Sequence, residues 1–273
     1  MTRFLARRVA ALLALAAFAL PAGATSTGID YTDQWWGGPS ESGWGVNFIE
    51  QGTTIFATLF VYGADQTPRW YVATLDSGGT QTFTGPLYST TGPYFGAGSF
   101  DHNAVGVTQV GTMTVVFPSG YNGTLNYTVS GVSVTKSILR QTFKANSIAG
   151  SYVGGVTTTA SNCHNGATNG AAYFTGGITV TQNGQNVSIA VGFYTSTGAP
   201  AVCTYNGVLT PQGVLAQIAN GTFSCVVSGT TTNGGTFNAD NISMVQSGFM
   251  GQFTGSDQYC NYTGYIGGVK APM

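Results

Sequence analysis

The chain has 273 residues, of which only 6% are charged: eight Lys and Arg against nine Asp and Glu, a formal net charge of −1. So few basic side chains argue against nucleic acid or an anionic lipid surface as a partner. The 41 glycines, with many Thr, Ser and Asn, disfavour helices and are typical of exported β-proteins.

Residues 1–24 have the pattern of a secretory signal peptide. Three arginines within 3–8 precede an apolar run at 9–20, and 22–24 has the A-x-A pattern of a cleavage site. The run is too short for a good transmembrane helix. We predict cleavage after Ala24, no membrane span afterwards, and an extracytoplasmic location, periplasmic or secreted. Cleavage leaves five basic and nine acidic residues, a net charge of −4.

The stretch 35–45 contains three of the four tryptophans and four glycines. Glycine permits positive φ, and Pro39 fixes the backbone, so we predict a tight loop that places large indoles. One hypothesis makes the loop an aromatic ligand site that includes Trp70 and Tyr71 from a later strand. Its residues would be Trp35, Trp36, Glu41, Trp44, Trp70 and Tyr71. The simpler interpretation, favoured for the loop itself, is a tryptophan plug that closes one end of a barrel.

Alternating apolar and polar residues between short turns predict an antiparallel meander from 29 to 143. The predicted strands are 46–50, 54–62, 69–75, 81–88, 110–117, 123–129 and 132–143. Their spacing indicates an all-β sandwich or barrel. Composition changes near 145, since all Trp lie before it and all Cys after it, so we predict domains at 25–145 and 146–273.

The second domain begins and ends with strands rich in Gly and aromatic residues, 150–155 and 262–268. We predict that these strands pair and close the sheet, which removes its edges. The strands between them are predicted at 177–182, 186–194, 201–210, 213–225, 236–243 and 248–254.

Four cysteines in an exported chain predict two disulfides, for which three pairings exist. The paired terminal strands would bring Cys163 close to Cys260. Cys203 and Cys225 flank the hairpin at 211–213 and would pair with each other. With no C-x-x-C spacing, the cysteines are assigned a structural role.

The first half resembles an uncharacterised family of secreted bacterial β-proteins. The resemblance rests on Trp35-Trp36, Pro39, the run 41–45 (Glu-Ser-Gly-Trp-Gly) and the run 68–71 (Pro-Arg-Trp-Tyr), and it covers about 31–75. Gly37-Gly38 departs from the pattern, in which Asn often precedes the proline. The resemblance implies export and a β-fold but no activity. The second half is similar to small closed meander barrels of the avidin or lipocalin type, an analogy that does not fix function.

The sequence offers few groups of residues that could form a catalytic site. His102 and His164 fall in different domains, which does not favour a triad or a zinc site. Leu75-Asp76-Ser77-Gly78 resembles an aspartic-protease loop but has no second copy, and a hairpin turn explains it. We therefore predict no catalytic residue, no metal and no cofactor.

The leading hypothesis is a non-enzymatic, exported module that binds a carbohydrate or another small extracellular ligand through aromatic rings. One alternative is a glycosidase-like hydrolase centred on Glu41. A second is a structural protein of surface assemblies. The oligomeric state is left open.

Overall fold

The computed structural model describes residues 28–96 and 98–271, which are almost entirely β-structure. The predicted signal peptide, 1–24, lies outside the described residues. The strands form two consecutive closed antiparallel barrels of eight strands each, which confirms the all-β prediction. Helical structure among the described residues is limited to three 3-10 turns, Pro39–Glu41, His102–Ala104 and Gly166–Thr168. None of the helices in this part of the chain is long and apolar enough to span a membrane.

The first barrel is an uninterrupted meander in which each strand pairs with the next. Its strands are β1 Asp33–Trp36, β2 Gly45–Gln51, β3 Thr54–Tyr62, β4 Pro68–Ser77, β5 Thr82–Thr91, β6 Gly106–Val116, β7 Asn122–Val129 and β8 Val132–Arg140. The barrel closes between β1 and β8, where Trp35 lies opposite Arg140 and Trp36 opposite Leu139.

The second barrel has the same topology with longer strands. These are β9 Gly150–Ser161, β10 Gly170–Asn183, β11 Asn186–Tyr194, β12 Pro200–Gln212, β13 Leu215–Val227, β14 Thr230–Val245, β15 Gly248–Asp257 and β16 Asn261–Lys270. The first and last strands, β9 and β16, pair from Tyr152↔Lys270 to Ser161↔Asn261. This pairing confirms the predicted closure of the second sheet.

The prediction that 35–45 forms one loop is wrong in its first part. Asp33–Trp36 is a strand, and only the residues after it form the turn that leads to β2. Four residues are too few to show a period of two in the sequence, and β1 meets β8 over only two residue pairs. The first barrel therefore has one more strand than the sequence predicted.

A plug of aromatic side chains fills one end of the first barrel. Trp35 is fully buried, and its Nε1 donates to the carbonyl of Tyr31 over 3.1 Å. Phe117 stacks on Tyr31 at 4.0 Å between ring centroids and contacts Trp35 at 5.0 Å. Trp35 thus packs in the core, as the plug interpretation of the loop requires.

The second barrel closes one end by a comparable arrangement just before its first strand. Ile148 is buried, and the hydroxyl of Tyr152 donates to its carbonyl over 2.7 Å. The side chain of Gln182 accepts from the backbone N–H of Ile148 over 2.9 Å. In both barrels, the residue that covers the barrel end accepts a hydrogen bond on its backbone carbonyl. The donor is an aromatic side chain four residues later in the sequence.

Both barrels lie within one compact unit, Tyr31–Met273, and polar contacts join them. The turn between β12 and β13 contacts the first barrel, since the backbone N–H of Val214 donates to Asp33 over 2.9 Å and that of Gly213 to Thr142 over 2.8 Å. A second contact runs from the Tyr121 hydroxyl to Asp240 over 3.2 Å. The first barrel therefore sits against the closed end and one side of the second.

Candidate ligand-binding cavity

A cavity of about 460 Å³ lies inside the second barrel, at the end where β12 begins and β13 ends. This is the end opposite the Gly213 turn that contacts the first barrel. The volume falls within the range of about 300–1,000 Å³ that is usual for small-molecule sites. An eight-stranded barrel is just wide enough either to be filled by its own side chains or to hold one small ligand.

Part of the cavity wall, on β9 and β10, carries small inward-facing residues. Near the closed end, alternate positions carry buried aliphatic side chains such as Ile189 and Ile218. Towards the open end, the inward positions of β9 and β10 carry Thr158, Ala160 and Ala172 instead. These short side chains leave part of the barrel interior beside them unfilled.

Aromatic rings form the inner wall of the cavity. Tyr205 lies at the centre, with ring centroids 5.4 Å from Phe237, 5.8 Å from Phe223 and 6.5 Å from Phe253. Burial raises the pKa of Tyr205 to about 12, so its phenol stays neutral at physiological pH. These rings present flat, neutral surfaces on which an apolar or aromatic ligand can pack.

Asp257 fixes the wall near the rim through four hydrogen bonds. Its carboxylate accepts from the Tyr262 hydroxyl at 2.7 Å and the Asn233 amide, and from the backbone N–H groups of Tyr259 and Cys260 at 2.7 Å. Burial acts to raise the pKa of Asp257, but these hydrogen bonds outweigh it and lower the pKa. Burial, and to a lesser extent the hydrogen bond to Asp257, raises the pKa of Tyr262 to about 12. Asp257 is thus an ionised structural acceptor.

One polar group of the cavity wall has no partner. The Thr158 hydroxyl is buried and makes no hydrogen bond with any residue in the described part of the chain. A buried polar atom left unsatisfied is unfavourable by about 1–3 kcal/mol. A ligand with a hydroxyl, carbonyl or amide group at this point would remove that penalty.

The two disulfides brace the same end of the barrel, and both are the pairs that the sequence predicted. Cys203–Cys225 joins directly opposed residues of β12 and β13 in the cavity wall. Cys163–Cys260 ties the β9–β10 connection to the β15–β16 connection. The 3-10 turn in the β9–β10 connection contributes Thr168 to the rim. The rim is therefore covalently held from two sides.

Of the predicted aromatic site in the first barrel, Glu41 and Trp44 do lie together. Trp44 Nε1 donates to the Glu41 carboxylate over 2.9 Å, and Lys136 Nζ lies 2.9 Å from it and 5.7 Å from the Trp44 ring centroid. The hydrogen bond from Lys136 and then that from Trp44 lower the pKa of Glu41. A carboxylate held ionised in this way is poorly suited to act as a general acid.

The other four predicted residues point in different directions. Trp35 belongs to the core, and Trp36, next to it in the strand, faces the opposite side of the sheet. Trp70 lies on the outer face of β4 and is 53% exposed. Its neighbour Tyr71 is on the same side of the strand as buried Ala73, the side that faces the barrel interior. The structure therefore does not bring the six residues together into one surface, and ligand binding by this set stays a prediction.

The histidines and acids give no sign of a metal centre. His102 and His164 are both exposed. Within residues 28–96 and 98–271, no three or more His, Cys, Asp or Glu side chains group closely enough to hold a metal ion.

No known protein-family model and no curated protein matches this sequence. The resemblance of 31–75 to a secreted bacterial family therefore stays a prediction. The cavity could not be predicted from the alternation in the sequence, because alternation marks which residues face inward but not whether they fill the space. The sequence contains one indication of the cavity. Along β9, the inward-facing side chains change from the larger Tyr152 and Val156 to the smaller Thr158 and Ala160.

Proposed function

We propose that this chain is an extracytoplasmic, non-enzymatic binding protein whose second barrel holds a small, largely apolar ligand. The observation that carries the proposal is the aromatic cavity of about 460 Å³, open at a rim that two disulfides brace. A preformed pocket needs little ordering when a ligand enters, so more of the contact energy is kept as affinity.

The cavity wall indicates the chemistry of the ligand. Flat rings around Tyr205 favour an aromatic or alicyclic body, and the free Thr158 hydroxyl favours one polar group on it. The charged side chain nearest the rim, Asp257, is already satisfied by four hydrogen bonds. A neutral molecule therefore fits this cavity better than an ion, because it leaves no buried charge unpaired.

The disulfides and the N-terminal sequence both support the proposed location. Disulfides persist in oxidising compartments and are rare in the cytosol. The signal-peptide pattern of 1–24 supports export, to the periplasm or beyond the cell. We propose that the barrel meets its ligand there.

Titration with the neutral fluorophore N-phenylnaphthylamine tests the proposal. Dye in the cavity should fluoresce strongly, and Ala172→Trp, which fills the inward space of β10, should abolish the signal. Ala190→Trp is the matched control, because Ala190 points outward on β11 between buried Ile189 and Val191. Absence of dye binding, or equal binding by Ala172→Trp and Ala190→Trp, would overturn the proposal. Near-ultraviolet circular dichroism reports whether each variant is folded.

A further inference from the structure

A separate groove of about 450 Å³ runs across the outer face of the second barrel, over β9, β10, β15 and β16. Two exposed tyrosines define it, Tyr173 at 75% and Tyr265 at 42% exposed. In the strand register, Tyr173 on β10 and Tyr265 on β16 each lie opposite Thr157 on β9. The two rings thus stand on either side of an exposed threonine.

Hydrogen-bonding side chains extend the same row. Gln252 lies opposite Tyr265 and donates to its hydroxyl over 3.5 Å, and Asp240 lies opposite Gln252 on β14. A parallel row of hydroxyls follows two residues further along the strands: Thr159, Thr263 and Thr254. The floor of the groove therefore offers hydroxyl, amide and carboxylate groups between and beside two rings.

We propose that this groove binds a neutral oligosaccharide. A sugar ring has an apolar face of C–H groups that can pack on an exposed tyrosine, and a rim of hydroxyls that can bond to Thr, Gln and Asp. The two tyrosines are two strands apart, which is roughly 9.6 Å at a spacing of about 4.8 Å between strands. That separation is close to the length of a disaccharide unit, so both rings can contact one extended chain.

Charge and topology favour this occupant over others. From residue 146 onwards the chain carries only Asp240, Asp257 and Lys270 as charged side chains, so the groove has no basic cluster for an anionic polymer. Peptides often bind by adding a strand to an open edge, and a closed barrel presents none. A lipid surface needs an apolar face, and the threonines, Gln252 and Asp240 interrupt this one.

Close approach of two strands shapes the floor. Gly264 on β16 lies so near the carbonyl of Thr157 that a side chain there would clash with the backbone. Glycine at such a point lets neighbouring strands approach closely where a larger residue could not. Thr157, the short residue between the two tyrosines, then leaves the groove open.

Isothermal titration of the full-length protein with cellohexaose, xylohexaose and mannohexaose tests the inference. We expect at least one to bind, and Tyr173→Ala and Tyr265→Ala each to weaken that binding roughly tenfold. Tyr173→Phe, which keeps the ring, should retain most of the affinity. Tyr62→Ala is the matched control, since Tyr62 is 61% exposed on β3 of the first barrel and does not line the groove.

The inference is overturned if none of the three oligosaccharides binds, or if both tyrosine-to-alanine variants bind as well as the control. N-phenylnaphthylamine fluorescence distinguishes this groove from the cavity. Tyr173→Ala should leave dye binding unchanged, and Ala172→Trp should leave the oligosaccharide affinity unchanged. Intact dye binding also shows that a tyrosine variant is folded.

Discussion

Arg140 and Asp33 form a buried ion pair, 3.1 Å apart, with 0% and 6% of their side chains exposed. Arg140 also donates to the carbonyls of Gly120 and Thr32, and its guanidinium lies 4.8 Å from the Trp35 ring centroid. The carboxylate oxygen of Asp33 that faces Arg140 also accepts the backbone N–H of Val214 from the other barrel. One ion pair thus links the β1–β8 seam, the tryptophan plug and the contact between barrels.

Arg140→Met should lower the free energy of unfolding by about 3–5 kcal/mol, because it leaves the carboxylate of Asp33 buried without its cation. Urea unfolding measures the change. The matched control is Arg69→Met, which breaks a pair of 2.7 Å with Asp65 whose side chains are about half exposed, and which should leave the free energy of unfolding nearly unchanged because solvent screens the pair. Equal effects of the two substitutions would contradict the role given to Arg140.

Gly213→Ala should weaken the contact between the barrels. Gly213 has a φ of +65°, and an added Cβ would clash with the Asp33 carboxylate and lie 2.8 Å from Arg140 Cβ. Gly184 has nearly the same φ, +61°, with nothing within 4 Å of such a Cβ. Gly184→Ala therefore controls for backbone strain alone. Hydrogen exchange at Val214 should be faster in Gly213→Ala and unchanged in Gly184→Ala; similar rates in both would contradict the prediction.

Trp35→Ala should destabilise the protein by about 3–5 kcal/mol, since it leaves a large hole among Phe48, Phe117 and Tyr31. Trp70→Ala removes the same side chain from the outer face of β4 and should change stability by less than about 1 kcal/mol. Thermal unfolding of both variants measures the difference. A small effect at Trp35 would show that the plug is not needed to hold the first barrel together.

Acid should loosen the rim of the cavity through Asp257. Its hydrogen bonds hold the pKa below the value of about 3.9 expected in the unfolded chain. Its contribution to stability is therefore fully present above about pH 4 and is lost as the pH falls through the lowered pKa. The difference in free energy of unfolding between the unsubstituted protein and Asp257→Asn should shrink as the pH falls from about 5 to about 2. Asp76→Asn controls for the loss of one negative charge, and a constant difference for Asp257→Asn would contradict the prediction.

Much of the fold could be predicted from the sequence because its signals are local. A period of two and turns such as Asn183-Gly184 identify most strands, and strand order then fixes which cysteines meet. The short strand β1 could not be identified in this way, since four residues are too few to show the period, and two of them pair with β8, about 100 residues away.

The candidate sites could be predicted far less well. The sequence drew attention to the tryptophans, yet Trp35 packs in the core and Trp70 faces outward. The cavity depends on how much volume alternate residues leave across a barrel, and the groove depends on which residues lie side by side on different strands. Tyr173 and Tyr265 are 92 positions apart, and only the register of β9 with both neighbours brings them to one row.

The two ends of the second barrel differ in what they contact. Its sealed end, at Ile148 and the Gly213 turn, docks on the neighbouring barrel, while the mouth opens at the far ends of the same strands. On the proposed function, a ligand would arrive and depart without disturbing the contact between the two barrels.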